Sequence, residues 1–276
     1  MDIDYLRKWI GREESASEII SERLVQQFAA IFDQEIEIAS GEPAPQMIHW
    51  CLTQNAVQNS MLGPDGHSKR GSFLPPVSLP RRMWAGGALT FEAPLRIGDL
   101  VERRSRIRDV TLKQGRSGLL CFVTVDHVYS VDNHAAISER QDIVYRAEDS
   151  AGGGQKKTQA APEGPNTRQI VPSPTFLMRY SAVTFNAHRI HYDLAYAQGV
   201  EGYPGLIVHG PLQATLLCQY AANLEGLTPK WFSFRSLAPI FDCADFTINA
   251  EPAEDGLRLW TAQTGGPVAM QAKTAW

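Results

Sequence analysis

"GPLQATLLCQYAANLE", residues 210–225, decides how the rest of the chain is read. Leu212, Leu216, Leu217 and Tyr220 recur at helical spacing, and Pro211 suits a first turn, where its missing N–H removes no helical bond. A helix is therefore predicted here. Strand-like runs follow it at 234–241, 243–253, 256–264 and 267–276. Toward the N-terminus the same order occurs. The stretches 16–33 and 45–62 have helical spacing, with Pro45 at the start of the second, and 100–114, 118–131 and 135–147 read as three long strands joined by turns. Between the halves, 148–169 is rich in Gly, Pro and polar residues, cannot bury enough apolar surface to offset its ordering entropy, and reads as a linker. Helix first and antiparallel strands afterwards, twice over, predict an α+β chain of two related units, 1–147 and 170–276, each a sheet wrapping an apolar helix.

The chain has 276 residues, 43% hydrophobic and 20% charged, which fits a packed core rather than disorder. A net charge of −4 gives no basis for nucleic acid as a partner. No apolar run approaches the roughly 18 residues needed to cross a bilayer, and "MDIDYLRKWIGREES" lacks a signal-peptide core. Cys51, Cys121, Cys218 and Cys243 are far apart and read as free thiols of a cytoplasmic protein, with no disulfide framework expected. The one protein partner left open is a second copy of the chain, as a homodimer.

The chemistry-bearing residues concentrate at "NAHRIHYD", 186–193, and "VHG", 208–210. His-x-x-His is a metal-like spacing, but no glutamate accompanies it as in H-E-x-x-H and a third ligand would have to be His209, so no metal is expected. His191 suits proton transfer near neutral pH, a role worth about 10²–10⁴-fold in rate. Gly210 opens the helix of 210–225, where unpaired N–H groups and the positive helix end face outward and suit a developing oxyanion. Pro211 has no donor, which leaves the N–H groups of Gly210 and Leu212. Glycines at 202, 205 and 210 allow close backbone approach to a ligand.

"FNAHRIHYD" (185–193) with "AYAQGVEGYPGLIVHG" (195–210) resembles the (R)-specific enoyl-CoA hydratase / MaoC-like dehydratase family, whose pattern is G-D-x-N-P-I-H-x-D followed by A-x-x-x-G-F-x-x-P-I-x-H-G. The resemblance implies a double hot-dog fold with a degenerate first unit, in which 71–103 is included. It implies a CoA-thioester substrate, reversible addition of water to its double bond, no cofactor, and an Asp/His pair at i and i+5 that handles the protons. The itaconyl-CoA / mesaconyl-C4-CoA hydratase group, which forms citramalyl-CoA, is the nearest branch. A fatty-acid-type 3-hydroxyacyl-thioester dehydratase and a thioester-binding pseudo-hydratase are the alternatives.

The chain departs from the pattern at two places. Asn186 stands where the family has Asp, and His188 where it has Asn. Asn cannot act as a general base, though it can hold a water. Either His191 works alone while Asn186 orients water, or His188 restores a second titrating group. "PRRMWAGG" (80–87) is either a solvated strand start or a carboxylate clamp built from Arg81, Arg82 and Trp84, with Arg189 as the rival cation. Tyr203, Gly205 and His209 are expected to shape the pocket, and Asp193 to bond locally. Tyr180 and Ser181 are placed on a strand leading in. His49 and Trp50, on the helix expected over 45–62, line the acyl end or belong to the core.

Overall fold

The computed structural model describes residues 1–115, 118–147 and 159–276. Its strands form one ten-stranded antiparallel sheet. The first half supplies β1 (Glu13–Ile19), β2 (Arg81–Phe91), β3 (Leu100–Gly115), β4 (Gly118–Val131) and β5 (His134–Arg146), in the order β1-β3-β4-β5-β2. The second supplies β6 (Asn166–Ile170), β7 (Trp231–Ser236), β8 (Phe246–Ala253), β9 (Gly256–Gln263) and β10 (Val268–Ala275), and β6-β8-β9-β10-β7 repeats that order. The two portions, expected as separate sheets, join edge to edge where β2 pairs with β7. Gly86 and Gly87 let β2 lie close to both neighbours: a Cβ on Gly86 would stand 2.5 Å from Phe234 O on β7, and one on Gly87 2.7 Å from Arg140 O on β5.

Two strand-level expectations need correction. The linker reading of 148–169 fails at its end, because Asn166–Ile170 pairs with β8 as an edge strand; residues 148–158 lie outside the described residues. The first strand of the last meander is Trp231–Ser236 rather than 234–241.

Five α-helices accompany the sheet: α1 (Ile3–Arg7), α2 (Glu22–Ile31), α3 (Pro174–Val183), α4 (Leu194–Gly199) and α5 (Gly210–Glu225). The stretch 16–33, read as one helix, divides into β1 and α2, with Ser21 capping α2 by accepting from Leu24 N at 3.1 Å. α5 is the predicted apolar helix, buried from Leu212 through Gln219 against β7 to β10 and ended by Gly226 at φ 72. The matching place in the first half holds no such helix. Residues 45–62 contain only short 3₁₀ turns at Ile48–Cys51 and Asn59–Met61, because Met47 and Thr53 adopt left-handed φ of 70 and 55. Ile48, Trp50, Cys51 and Leu52 are nevertheless buried, and the Trp50 ring packs on Trp84 and Phe234 with centroids 4.9 and 6.0 Å apart. Aromatic side chains thus fill the space a central helix would take, and one apolar core runs from Phe28 and Leu89 through Leu212 and Phe232.

Behind Trp50 lies a buried polar group of the first half. Glu139, 3% exposed, accepts from Trp50 Nε1 and Gln141 Nε2, each at 2.9 Å, and stands 3.8 Å from His49 Nε2. Burial holds His49 down at about 3, with His127 adding to the effect, so His49 is neutral and offers no charge to the carboxylate. Burial raises Glu139 to about 7 against the hydrogen bonds it accepts. A carboxyl raised on folding adds stability that is complete below its unfolded pKa, near 4.5, and is lost as pH rises through 7. Glu139→Gln should remove that slope. Denaturant titrations of parent and variant at pH 5 and pH 8 should show the parent losing about 3 kcal/mol relative to the variant; parallel losses would mean that Glu139 ionises freely in the fold.

Candidate active site

The motif at 186–193 folds as an irregular turn between two helices. Ser173 and Pro174 start α3, with Ser173 Oγ accepting from Phe176 N at 3.2 Å. Tyr180 and Ser181 therefore lie on a helix and not on a strand. Phe185 turns the chain at φ 48, and a 3₁₀ turn at Arg189–His191 leads to α4, whose N-cap is Asp193. Asp193 Oδ1 accepts from Tyr196 N at 3.0 Å, while its Oδ2 takes Arg189 Nε and Nη2 at 3.0 and 2.8 Å.

His191 is buried at the centre. Its Nδ1 donates to the Ile207 carbonyl at 2.7 Å. A carbonyl only accepts, so Nδ1 carries the hydrogen and Nε2 presents its lone pair. Burial lowers its pKa to about 4; the bond to Ile207 opposes this and His67 adds to it. His209 stacks on it with centroids 3.7 Å apart and an interplanar angle of 20°. Ser181 Oγ holds His209 Nε2 at 2.8 Å, and burial keeps this imidazole neutral as well. His209 is also the N-cap residue of α5, so the His191 ring lies beside the tip of that helix. A Cβ on Gly210 would meet nothing nearer than Ser236 Oγ at 3.8 Å, so there is room beside its α-carbon. An imidazole base next to unpaired N–H groups at a positive helix end can move a proton at a carbon while stabilising an adjoining oxyanion.

Two residues absent from the sequence reading complete the cluster. The loop from Asn59 to Ser68 of the first half lies over the motif, tied by Arg189 N to Asp65 O at 2.9 Å and Arg189 Nη1 to Pro64 O at 3.0 Å. Gly66, at φ 89, is required there, since a Cβ would collide with the Ala187 carbonyl. The loop brings the His67 ring to 4.0 Å from His188, which lies 5.3 Å from His191. Four imidazoles, of His67, His188, His191 and His209, therefore run in sequence to the α5 tip. Asp65 Oδ2 accepts from His67 Nδ1 at 2.9 Å. Burial raises the Asp65 carboxyl, but bonding and charge from His67 outweigh it and hold the group well below the usual carboxylate range. Burial also lowers His188 and His67, with Arg82 contributing to both. The ligand atoms of Asp65, His67 and His188 lie within 4.8 Å of one another, a grouping different from the His188, His191, His209 set weighed on spacing. The signal in the sequence was "PDGH", 64–67: an acid two residues before a histidine around a turn glycine.

Several expected site residues have other work. Asn186 Oδ1 accepts from His188 N at 3.0 Å, closing a local turn, which leaves its amide N–H groups and the second lone pair of Oδ1 for a ligand. Arg189 is committed to Asp193, Pro64 and the Tyr196 ring, 4.1 Å away, and is not a free clamp. Arg81 donates to Glu201 O at 3.0 Å, pairs with its carboxylate at 3.5 Å and lies over Tyr203. Arg82 carries a charge that acts on both His67 and His188, and Arg70 also acts on His67. Trp84 packs between Trp50 and Phe234, and its indole N–H is buried without a partner. Tyr203 packs on Phe241, 5.9 Å between centroids. Gly205 is small because Asp242 and Cys243 press on it, not to admit a ligand, and the Leu212 side chain is core.

The model of the family "Hydroxyacyl-thioester dehydratase type 2" matches residues 47–242. The chain is 43% identical over 270 residues to the mesaconyl-C(4)-CoA hydratase of Chloroflexus aurantiacus, covering 96% of this chain and 95% of that one. It is 27% identical over 234 residues to the mitochondrial hydroxyacyl-thioester dehydratase type 2 of Schizosaccharomyces pombe, covering 75% and 76%. Among solved structures, HtdX of Mycobacterium tuberculosis superposes with a TM-score of 0.68 at 20% identity, over 96% of this chain and 99% of that one. Another protein of that organism, described as a double hot-dog fold, does so at 0.60 and 12%, over 96% and 95%. The fold is thus the α+β double hot-dog.

Gly210→Ala tests the open space at the helix tip. The added methyl has room within the fold and alanine favours a first helical turn, so the melting temperature should stay within about 2 °C. Hydration of an enoyl-CoA should fall by about tenfold or more as the methyl holds the carbonyl away. Unchanged kcat/KM would place the oxyanion elsewhere.

Proposed function

The chain belongs to the hydroxyacyl-thioester dehydratase type 2 family, and from that premise we propose that it hydrates mesaconyl-C4-CoA or itaconyl-CoA reversibly, giving citramalyl-CoA. It is a hydro-lyase acting on a CoA thioester. The observation that carries the reading of the site is the neutral His191, with Nε2 open, beside the tip of α5. The thioester carbonyl accepts the Gly210 N–H, which with the positive helix end favours the enolate oxygen over the neutral carbonyl. His191 Nε2 moves the proton at the adjoining α-carbon. Leu212 N–H, in the same first turn, is the second donor.

The acyl group then extends away from α5, past His191 toward His188 and His67. Both dicarboxylic substrates carry a free carboxylate that crotonyl-CoA lacks. Arg82 is the arginine whose charge reaches both His67 and His188, and on β2 it lies two residues, and so one face-repeat, from Trp84. The Trp50, Trp84 and Phe234 rings favour a short acyl group over a long straight one. This supports the itaconate-degrading type of hydratase over the fatty-acid type. Four free thiols, three of them buried, fit a cytoplasmic enzyme.

Incubation of the full chain with mesaconyl-C4-CoA, itaconyl-CoA and crotonyl-CoA, with products identified by mass, tests the substrate. Water should add to the dicarboxylic thioesters far faster than to crotonyl-CoA. Preference for crotonyl-CoA would favour the fatty-acid reading, and addition to none would make the chain a thioester-binding pseudo-hydratase. His191→Gln should abolish turnover with an unchanged melting curve. Arg82→Ala should raise KM for mesaconyl-C4-CoA by about 10–100-fold and spare crotonyl-CoA; equal losses on both would remove the carboxylate clamp.

A further inference from the structure

Hydration moves two protons at different atoms: one leaves water as its oxygen bonds to the β-carbon, and one arrives at the α-carbon. His191, next to the helix tip that holds the carbonyl, reaches the α-carbon. The residue expected to manage the water, Asn186, has no titrating atom, and its carbonyl oxygen is used on His188 N. We propose that His67, oriented by Asp65, is the base that activates the water, so that the loop of the first half supplies the second proton-handling group of the site. The proposal rests on the hydratase reading above.

The geometry supports this on three counts. Asp65 takes the Nδ1 hydrogen of His67 at 2.9 Å, and its Oδ1 takes the His67 backbone N–H at 3.0 Å, so the ring is held with Nε2 bearing the lone pair. The two side chains are 21% and 26% exposed, so solvent reaches the pair, in contrast to the buried His191 and His209. His67 is also the far member of the ring sequence that begins at the α5 tip, with His188 and His191 between. A substrate anchored by its carbonyl at that tip presents the α-carbon to His191 and the β-carbon farther out, on the His67 side.

The step balances without a cofactor. His67 Nε2 takes a proton from water while the hydroxyl oxygen bonds to the β-carbon. The double-bond electrons move to the α-carbon and carbonyl oxygen. His67 releases that proton to the site's water, the neutral His191 takes one at Nε2 and passes it to the α-carbon of the enolate, and the carbonyl reforms. Both imidazoles end neutral as they began, so the net change is one added water. Asp65 is a positioning residue: it acts only through His67.

The test uses the full chain with mesaconyl-C4-CoA for hydration and citramalyl-CoA in deuterated water for exchange at the α-carbon. His67→Gln should lower hydration kcat by about 10²-fold or more with KM changed by less than about threefold, while α-exchange persists. His191→Gln should lose both hydration and exchange. Asp65→Asn should lower kcat by roughly 10–10²-fold, and Asp65→Glu should recover part of the loss, which a purely structural role of Asp65 would not give. Melting curves of all four variants should match the parent. A parent inactive on every thioester would defeat the substrate reading, whereas an active parent with an equally active His67→Gln variant would overturn this inference alone. Loss of hydration by the parent on chelator treatment, with recovery on added zinc, would also overturn it, by giving Asp65 and His67 to a cation.

Discussion

One hydrogen bond organises the site: His191 Nδ1 to the Ile207 carbonyl, 2.7 Å. It settles which ring nitrogen carries hydrogen and therefore which can take a proton. It also ties the motif turn to the strand-like approach to α5, since Ile207 N bonds Ile190 O while Val208 N bonds Ile240 O. Ile207 is thus held from both sides, and the imidazole inherits the rigidity of that segment. His209, two residues on, stacks on the same ring and begins the helix. Base and oxyanion donors are positioned by six consecutive residues, 207–212, so an error in one would displace the other.

The first half of the fold acts by what it lacks. Its strand order copies the second half, yet among the described residues it holds no counterpart of the 16-residue α5. The left-handed residues Met47 and Thr53 flank the turn at Ile48–Cys51, and Trp50 and Trp84 take the volume. Beyond that turn Phe73, Leu74, Val77 and Leu79 pack on β3, β4 and β5 of the first half, while the loop at 64–67 reaches the second. The Asp65 carbonyl and Pro64 carbonyl meet Arg189 there, and Gly66 lets the backbones touch. Glu139 and His49 are buried beneath the same turn, where desolvation outweighs the charge of Arg103 on the carboxyl and keeps the imidazole neutral.

Much of this was legible in the sequence, and the failures have physical causes. α5 could be read because an apolar stripe, a Pro at the start and a Gly after the end agree. The strands β3 to β5 were readable because they alternate over long runs. Residues 45–62 misled because apolar spacing reports burial, and a buried irregular segment has the same spacing as a helix. β6, "NTRQI", was missed since an edge strand is held by backbone bonds and needs no apolar alternation. His191 was found through its motif, while His67 sits in a loop with no period, 124 positions earlier by its numbering. Arg81 and Arg82 look equivalent in sequence; only their surroundings separate them, the Glu201 carboxylate for one and Tyr145, His67 and His188 for the other.

The contact between Gly66 and Ala187 has a consequence for heredity. Duplicated domains are usually thought free to drift apart, be swapped or be lost one at a time. Here a turn from one copy rests directly on the motif of the other, with no room for a single methyl group between them. The two copies have become one unit of selection: a recombination event that separated them, or imported a foreign partner for either, would have to recreate that fit atom by atom.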